Sequence, residues 1–149
     1  MKDRIFVDSN VWIYLFTSDD VSKNKLARAF VAENASKGNV LVVSYQIINE
    51  VGSVLKRKKK FDEAKIQFVF DTMFDLCVIQ NFSQEIVTKA SVMRDTISVS
   101  YWDSIMIATA SEADCKYLTS EDMQHGQKIS NLTIHNIFAD RCKIFSNFN

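Results

Sequence analysis

The stretch Ile5-Phe-Val-Asp8-Ser-Asn-Val-Trp-Ile13 decides the fold, because an apolar run ends within it and a helix begins. Residues 5–7 are all apolar and predict a short, buried strand. Asp8, Ser9 and Asn10 follow, and these residue types cap the first turn of a helix. A strand that passes directly into a helix, here predicted over about 10–17, is the basic unit of an α/β protein.

The rest of the chain repeats this alternation of short apolar runs and longer helical segments. The further strand candidates are residues 40–43, 77–79, 116–118 and 132–134, and the helix candidates are about 22–36, 45–59, 62–76, 84–97 and 101–113. The runs are apolar on both faces, as strands of a covered parallel sheet are. Ser44 and Ser83 are candidate N-caps. The pattern predicts an α/β three-layer fold with a central parallel sheet of four or five strands flanked by helices.

The composition is that of one globular domain. The 149 residues contain no proline and three glycines, so no flexible linker divides them, and we expect a single domain over 1–149. Lysine plus arginine and aspartate plus glutamate number 18 each, which argues against broad, nonspecific binding to DNA. A local basic track beside an acidic pocket is compatible with that balance.

Cysteine usage and hydropathy indicate a cytoplasmic protein. The chain has three widely spaced cysteines, Cys77, Cys115 and Cys142. An odd number at such spacing is typical of reduced thiols rather than of a disulfide framework. Two histidines and no Cys/His cluster leave zinc without an obvious site. We expect no signal peptide and no membrane-spanning segment, because the chain starts with a charged, strand-like run and no apolar run is long enough.

Acidic residues stand where two of the predicted strands end. Asp8 closes the first strand, and Ser120, Glu121 and Asp122 follow the strand at 116–118. Ligands of open parallel sheets bind outside the carboxyl ends of the strands, so both positions are candidates for one site. Each has an ordinary alternative, which is a helix N-cap for Asp8 and an acidic surface loop for Asp122.

Two further acids lie within predicted helices. Glu50 falls beside Ile47 and Val54 on the edge of an apolar stripe, and the alternative is a side chain that reaches past the core into water. Asp103 lies in a helix that is apolar nearly all round, where a buried carboxylate is unfavourable unless paired or metal-bound. The alternative is a capping role, because Ser100 precedes it by three and a first-turn acid suits the helix dipole.

The four acids together form an oxygen-only set of donors in one small α/β domain. Carboxylate oxygens without a cysteine or histidine partner favour Mg²⁺ or Mn²⁺ over zinc. The sequence therefore predicts a site for one or two such ions at Asp8, Glu50, Asp103 and Asp122.

At these residues the chain resembles PIN domains, and within them the VapC-type toxins of bacterial toxin–antitoxin pairs. The matching segments occur in the family's order over most of the chain and are Phe6–Ile13, Asn49–Val51, Tyr101–Ala108 and Leu118–Gly126. The resemblance implies a metal-dependent endoribonuclease with RNA as substrate, a cognate antitoxin protein as partner and a homodimer. An excess of large apolar residues over 61–74 is consistent with an interface.

The resemblance also implies roles for the four acids, all of which would be catalytic metal-pocket residues. Asp8 and Asp103 would be the main ligands, Glu50 would position or deprotonate the attacking water, and Asp122 would complete the shell. Phosphodiester hydrolysis agrees with this set, because divalent cations activate water and neutralise the charge that develops at phosphorus. No serine, cysteine or histidine is required for the reaction.

Two groups of residues surround the predicted pocket. The rim is expected to consist of Ser9, Asn10, Ser120 and Glu121. The candidate RNA contacts are Lys56, Arg57, Lys58, Gln124 and His125. The basic run at 56–60 ends a helix, where a solvated helix terminus is the alternative. Residues 124–126 form an ordinary turn closed by glycine on the alternative interpretation.

Two other functions share some of these features. A catalytically silent PIN-like scaffold that binds only protein or RNA would keep the fold and lose one or more acids, whereas all four are present. A Mg-dependent phosphatase of the haloacid dehalogenase type needs a second aspartate two residues after the first, and this chain has Asn10 there. Metal-induced thermal stabilisation distinguishes an enzyme from a scaffold.

Overall fold

A computed structural model describes residues 2–139, and within them the chain forms six helices and six strands. In chain order the elements are β1 (Arg4–Val7), α1 (Ser9–Phe16), α2 (Val21–Lys37), β2 (Val40–Val43), α3 (Tyr45–Arg57), α4 (Glu63–Leu76), β3 (Cys77–Ile79), α5 (Gln84–Thr96), α6 (Tyr101–Glu112), β4 (Tyr117–Thr119), β5 (Lys128–Ile129) and β6 (Leu132–His135). Each predicted helix and strand is present, and its ends lie within two residues of the prediction.

The strands form one sheet in the order β3-β2-β1-β4-β6-β5. Those from β3 to β6 run parallel, and β5 pairs antiparallel with β6. The predicted α/β three-layer fold with a parallel sheet of up to five strands is thus confirmed. The edge strand β5 was not predicted, because two residues are too few to show a pattern.

Burial of the central strands explains why they are apolar on both faces. Phe6, Val7, Val42 and Leu118 are fully buried, and Trp12 of α1 packs into the same core. Burial of each such side chain contributes roughly 1.5–3 kcal/mol to stability. A sheet buried in this way needs helices on both faces, which is the three-layer arrangement.

Serine side chains begin α3 and α5, as the sequence indicates. The hydroxyl of Ser44 accepts a hydrogen bond from the Ile47 N–H, and that of Ser83 accepts one from the Ile86 N–H. Each cap contributes about 1 kcal/mol because it satisfies a backbone N–H that the helix leaves unpaired. The Ser44 cap starts α3 directly at the carboxyl end of β2, which fixes the height of Glu50 above the sheet edge.

Helix α6 runs from the carboxyl edge of the sheet back to its amino edge. Its C-terminal end leads into β4 next to the start of β1, where Arg4 Nε donates to the Ala113 carbonyl at 2.7 Å. Its 12 residues span about 18 Å, which is more than the length of a strand in this sheet. The first turn of α6, which contains Asp103, therefore lies toward the carboxyl edge where β1 and β4 end.

The cysteines within the described residues are free thiols. Cys115 is buried and Cys77 is half-buried, and burial raises the pKa of each thiol to about 12. Thiols with so high a pKa are poor nucleophiles at neutral pH. The expectation of reduced cysteines is confirmed for these two, while Cys142 lies outside the described residues. Over residues 2–139, no helix is both long and apolar enough to cross a bilayer.

Candidate functional site

Asp8 lies at the carboxyl end of β1 and is only 7% exposed. Its Oδ1 accepts a hydrogen bond of 2.7 Å from the Ser9 N–H, so the carboxylate is the N-cap of α1. Its Oδ2 accepts a second bond of 2.7 Å from the Ser120 hydroxyl in the loop after β4. The cap that the sequence offered as the ordinary alternative is therefore present, and the second oxygen is bonded to the loop after β4.

The surroundings of Asp8 make its carboxyl harder to ionise. Burial is the largest effect and raises the pKa of the carboxyl above its ordinary value, whereas the hydrogen bonds from Ser120 and Ser9 lower it. Repulsion from Glu50 and from Asp122 raises the pKa further. No lysine, arginine or histidine within residues 2–139 forms an ion pair with Asp8. An ionised Asp8 thus lacks a positive partner in the described part of the chain.

The loop after β4 is tied to the start of α1 by the Asn10 side chain. Asn10 Nδ2 donates to Asp122 Oδ2 at 3.3 Å, and the Glu121 N–H donates to Asn10 Oδ1 at 3.4 Å. The Asp122 N–H also donates to the Ser120 hydroxyl at 3.2 Å. The amide of Asn10 therefore holds the two acids of this loop in place, a role that an aspartate at this position would not fulfil.

The side chain of Glu121 is held by two residues that no local sequence pattern indicates. Its Oε2 forms an ion pair of 2.9 Å with Lys23 Nζ, and its Oε1 accepts a hydrogen bond of 3.0 Å from the Tyr14 hydroxyl. The bonds to Glu121 and then to Tyr14 raise the pKa of Lys23 well above its ordinary value. Lys23 is 98 residues from Glu121 in the chain, so no local pattern indicates the pair.

Glu50 is exposed on the second turn of α3. Its Oε1 accepts a hydrogen bond of 3.3 Å from Gln46 Nε2, one turn earlier in the same helix. The side chain reaches past the core, as the ordinary alternative had it, yet it still acts electrostatically on Asp8. The acids that act electrostatically on Asp8 are therefore Glu50 and Asp122.

Asp103 takes a different position from the one that the apolar helix suggested. Its side chain is only half-buried, and complete burial in α6 begins at Ser104. The expectation of a buried carboxylate therefore overstated how far Asp103 is removed from water. The Ser100 hydroxyl accepts a bond of 3.1 Å from the Asp103 backbone N–H, which makes Ser100 the cap. Asp103 is not among the acids that act on Asp8, although the topology places it toward the same sheet edge.

The four acids do not form one tight cluster in the described chain. Within residues 2–139, no three side chains of Asp, Glu, His or Cys lie close enough together to hold a metal ion. The residues present still fit Mg²⁺, because Mg²⁺ keeps several water ligands and is commonly bound through one or two carboxylates plus substrate phosphates. Asp8, which is buried and has no cationic partner among residues 2–139, is a candidate for one such carboxylate.

The basic run at the end of α3 is largely occupied by contacts within the protein. Lys56 pairs with Glu63, Lys59 pairs with Asp19, and Arg57 donates to a serine one turn earlier. These contacts favour the solvated helix terminus over a dedicated RNA site. Lys58 is exposed and forms no ion pair within residues 2–139.

The segment after Asp122 forms a turn. Gly126 has a φ of +83°, which favours glycine, and its N–H donates to the Ile134 carbonyl at 2.9 Å. The exposed ring of His125 accepts a bond of 3.0 Å at Nδ1 from the Asn136 N–H. The turn interpretation is confirmed, and the outer edge of His125 stays accessible.

Solved structures of the same fold are similar to this chain at low sequence identity. VapBC2 from Rickettsia felis bound to a DNA fragment of its promoter is 17% identical, with a TM-score of 0.61 over 89% of this chain and 98% of that one. VapC20 from Mycobacterium tuberculosis, a sarcin-ricin loop cleaving toxin, is 18% identical, with a TM-score of 0.59 over 76% and 86%. A toxin–antitoxin complex from Klebsiella pneumoniae is 19% identical, with a TM-score of 0.62 over 87% and 95%.

The sequence itself carries a family signature over most of its length. No curated protein is similar enough to be matched. The PIN domain family matches residues 5–127, a span that includes Asp8, Glu50, Asp103 and Asp122. With a match over more than half of its residues and a fold shared with solved members, the chain belongs to the PIN domain family.

Proposed function

We propose that this PIN domain is an endoribonuclease that hydrolyses RNA phosphodiester bonds with Mg²⁺ or Mn²⁺ and acts as the toxin of a toxin–antitoxin pair. The observation that carries the proposal is the state of Asp8. It is a buried carboxylate with two acidic neighbours and without a cationic partner among the described residues. It stands at the edge of the sheet where α/β proteins bind ligands, and such an anion favours a bound cation.

The relatives of known fold support the substrate and the partner. One of them is a sarcin-ricin loop cleaving toxin, which supports RNA as the substrate, and another is a toxin–antitoxin complex, which supports a cognate antitoxin. Phe68, Phe74 and Val78 are large exposed apolar side chains on α4 and β3. They support the proposal that this chain forms a homodimer and binds an antitoxin, because exposed apolar surface marks protein interfaces.

In this proposal, Asp8, Asp103 and Asp122 would hold one or two ions. A bound ion supplies an activated water and offsets the negative charge that develops on the phosphate. Ser120 holds Asp8 Oδ2 in place, and Asn10 holds Asp122 through its amide. The exposed carboxylate of Glu50 positions the attacking water or accepts its proton.

The rim and the RNA contacts are assigned within the same proposal. Ser9, Asn10, Ser120 and Glu121 surround the pocket, with Glu121 acting through its ties to Lys23 and Tyr14. Lys58, Gln124 and His125 are exposed and available to RNA, whereas Lys56 and Arg57 have partners within the protein.

A cleavage assay on single-stranded and structured RNA tests the enzymatic proposal. We expect cleavage in Mg²⁺ or Mn²⁺, loss of cleavage in EDTA, and loss of cleavage in Asp8→Asn. The matched control is Asp75→Asn, which removes an exposed carboxylate from α4 and should retain full activity. Equal cleavage with and without EDTA would show that the metal mechanism is wrong.

Expression in growing cells tests the toxin role separately. Without an antitoxin, the wild-type chain should arrest growth, and Asp8→Asn should relieve the arrest at an equal protein level. Equal arrest by both chains would contradict a toxin that acts through this site.

A catalytically silent scaffold is the second candidate, and the lack of a three-ligand cluster in residues 2–139 favours it. A scaffold predicts no cleavage and no rise in melting temperature when Mn²⁺ is added. The enzyme predicts both, since a ligand that binds only the native state stabilises it by mass action.

A further inference from the structure

Two large aromatic side chains lie exposed at the start of α6, directly before Asp103. Tyr101 is 54% exposed and Trp102 is 65% exposed. Their rings stand edge to face, with centroids 5.4 Å apart. Burial in the core does not explain residues of this size on the surface, and their place in the chain sets them beside a predicted pocket residue.

An arginine accompanies this aromatic pair. The guanidinium of Arg94 on α5 lies 4.1 Å from the centroid of the Tyr101 ring, and its Nη1 donates to the Ser104 hydroxyl at 2.6 Å. Arg94 forms no ion pair with any carboxylate within residues 2–139. Its positive charge therefore has no anionic partner in the described part of the chain.

The support beneath these side chains is rigid. Helices α5 and α6 pack against each other through a separate buried cluster of Ile86, Ala90, Ile105 and Ala108. Arg94 is thus held at the level of the first turn of α6 by packing as well as by its bond to Ser104. The three side chains form a preorganised surface, which we call the aromatic–arginine patch: Arg94, Tyr101 and Trp102.

The positive charge of Arg94 distinguishes this patch from the exposed apolar surface on α4. Phe68 on α4 is 68% exposed, but within residues 2–139 no lysine or arginine stacks on its ring. An apolar protein partner needs no cation, whereas a nucleotide offers a flat base to an aromatic ring and a phosphate to a guanidinium. The combination at Arg94, Tyr101 and Trp102 therefore fits a nucleic acid.

We propose that the aromatic–arginine patch binds an unpaired nucleotide of the RNA substrate next to the cleaved bond, with its base on Trp102 and a phosphate at Arg94. The proposal rests on the ribonuclease function proposed above and specifies the substrate class. A base within a duplex is stacked on its neighbours and presents no free face, so the patch selects a single-stranded segment or a loop.

The tryptophan content allows a direct test by fluorescence. The chain has two tryptophans, of which Trp12 is fully buried and Trp102 is largely exposed. The Asp8→Asn chain in EDTA is titrated with a short single-stranded RNA and with the same RNA annealed to its complement. We expect the single strand to quench the exposed emission and the duplex to leave it nearly unchanged.

Variants assign the binding to the patch. Trp102→Ala should weaken single-strand binding about 5- to 150-fold, which is the range for losing one stacked base, while Trp102→Phe should retain most of the affinity. Arg94→Gln should make the slope of log affinity against log salt concentration shallower by about one, because one phosphate contact is lost. The control Phe82→Ala, at another aromatic residue that is 65% exposed, should bind like the parent chain.

Three outcomes would overturn the proposal. The first is unchanged emission with RNA, and the second is unchanged affinity in Trp102→Ala. The third is a dimer, seen by sedimentation, that Trp102→Ala dissociates without affecting RNA binding, since the patch would then be an interface between two copies. Loss of binding in Trp102→Ala together with no cleavage by the wild-type chain in Mn²⁺ would contradict the ribonuclease function alone.

Discussion

The Ser120 hydroxyl donates a hydrogen bond of 2.7 Å to Asp8 Oδ2, which joins two residues that are 112 positions apart in the chain. The same hydroxyl accepts a bond from the Asp122 N–H. One small side chain thus links the carboxyl end of β1 to the loop after β4. It also lowers the pKa of Asp8 and so opposes the effect of burial.

We predict that Ser120→Ala destabilises the metal-free protein by about 1–3 kcal/mol, because it leaves a buried carboxylate oxygen and a backbone N–H without their partner. The variant should also need a higher Mn²⁺ concentration for half-maximal cleavage, since Asp8 becomes harder to ionise. Urea unfolding in EDTA and a metal titration measure the two effects. Ser36→Ala, at an exposed position of α2, is the control, and equal behaviour of the two variants would contradict this role.

Asp8 also makes the stability of the metal-free protein depend on pH. Its pKa in the folded state is raised above the ordinary value of 3.8, mainly by burial. A raised pKa contributes stability below the unfolded value, and that contribution is lost as pH rises through the folded value. The advantage of Asp8→Asn over wild type in EDTA should therefore grow as pH rises above about 4.

Melting curves at several pH values measure this difference. Asp75→Asn should show no such growth, because that carboxylate is exposed. Saturating Mn²⁺ should cancel the advantage of Asp8→Asn by stabilising only the wild type. A difference between Asp8→Asn and wild type that stays constant with pH would show that burial of Asp8 has no energetic consequence.

Local patterns in the sequence predict the elements of this fold well. Helix ends depend on nearby residues, so the caps at Ser44 and Ser83 could be predicted from the sequence. Buried strands could be predicted from their apolar runs. The short edge strand β5 has no such signal.

The contacts that shape the candidate site are of another kind. The pairs Lys23–Glu121 and Ser120–Asp8 join residues roughly 100 positions apart, and single residues of these types occur on any surface. Their pairing is a consequence of strand order, because β1 and β4 lie side by side. The acids could be proposed from the chain, whereas the residues that orient them required the assembled sheet.

The packing of α3 against α4 predicts an effect at Gly52. A Cβ at this position would lie 2.6 Å from Phe70 Cζ and 2.9 Å from Phe70 Cε1, so the ring must move. Overpacking of this kind costs about 1–3 kcal/mol, and alanine recovers about 1 kcal/mol through its higher helix propensity. Gly52→Ala should therefore destabilise the protein by up to about 2 kcal/mol in urea unfolding. A stabilised Gly52→Ala would mean that Phe70 repacks without strain.

Lys23 is predicted to position the loop after β4 rather than to stabilise the fold. Its ion pair with Glu121 is partly exposed, with side-chain exposures of 31% and 26%, so its loss should cost no more than about 1 kcal/mol. Lys23→Met should nevertheless lower the Mn²⁺ concentration needed for cleavage, because a positive charge is lost and Glu121 is left uncompensated next to Asp122. Combining it with Glu121→Gln should restore the wild-type metal dependence, since no uncompensated carboxylate is then left. A double variant that stays as far from the wild type as Lys23→Met would contradict this role.

The start of α6 allows the function of Asp103 to be separated from helix capping. The capping bond runs from the Asp103 backbone N–H to the Ser100 hydroxyl, so a change of the Asp103 side chain leaves it intact. Ser100→Ala should thus destabilise the protein by about 0.5–2 kcal/mol. Asp103→Asn should lose only the interaction with the helix dipole, about 0.3–1 kcal/mol.

A metal-ligand role for Asp103 predicts the opposite ranking of the two variants in activity. Asp103→Asn should abolish RNA cleavage and reduce the rise in melting temperature on adding Mn²⁺, whereas Ser100→Ala should keep the larger part of both. Melting curves with and without Mn²⁺ and a cleavage assay on the two variants and the wild type measure this. Full activity in Asp103→Asn would remove Asp103 from the site. The remaining candidates would then be Asp8 and the two acids that raise its pKa, Glu50 and Asp122.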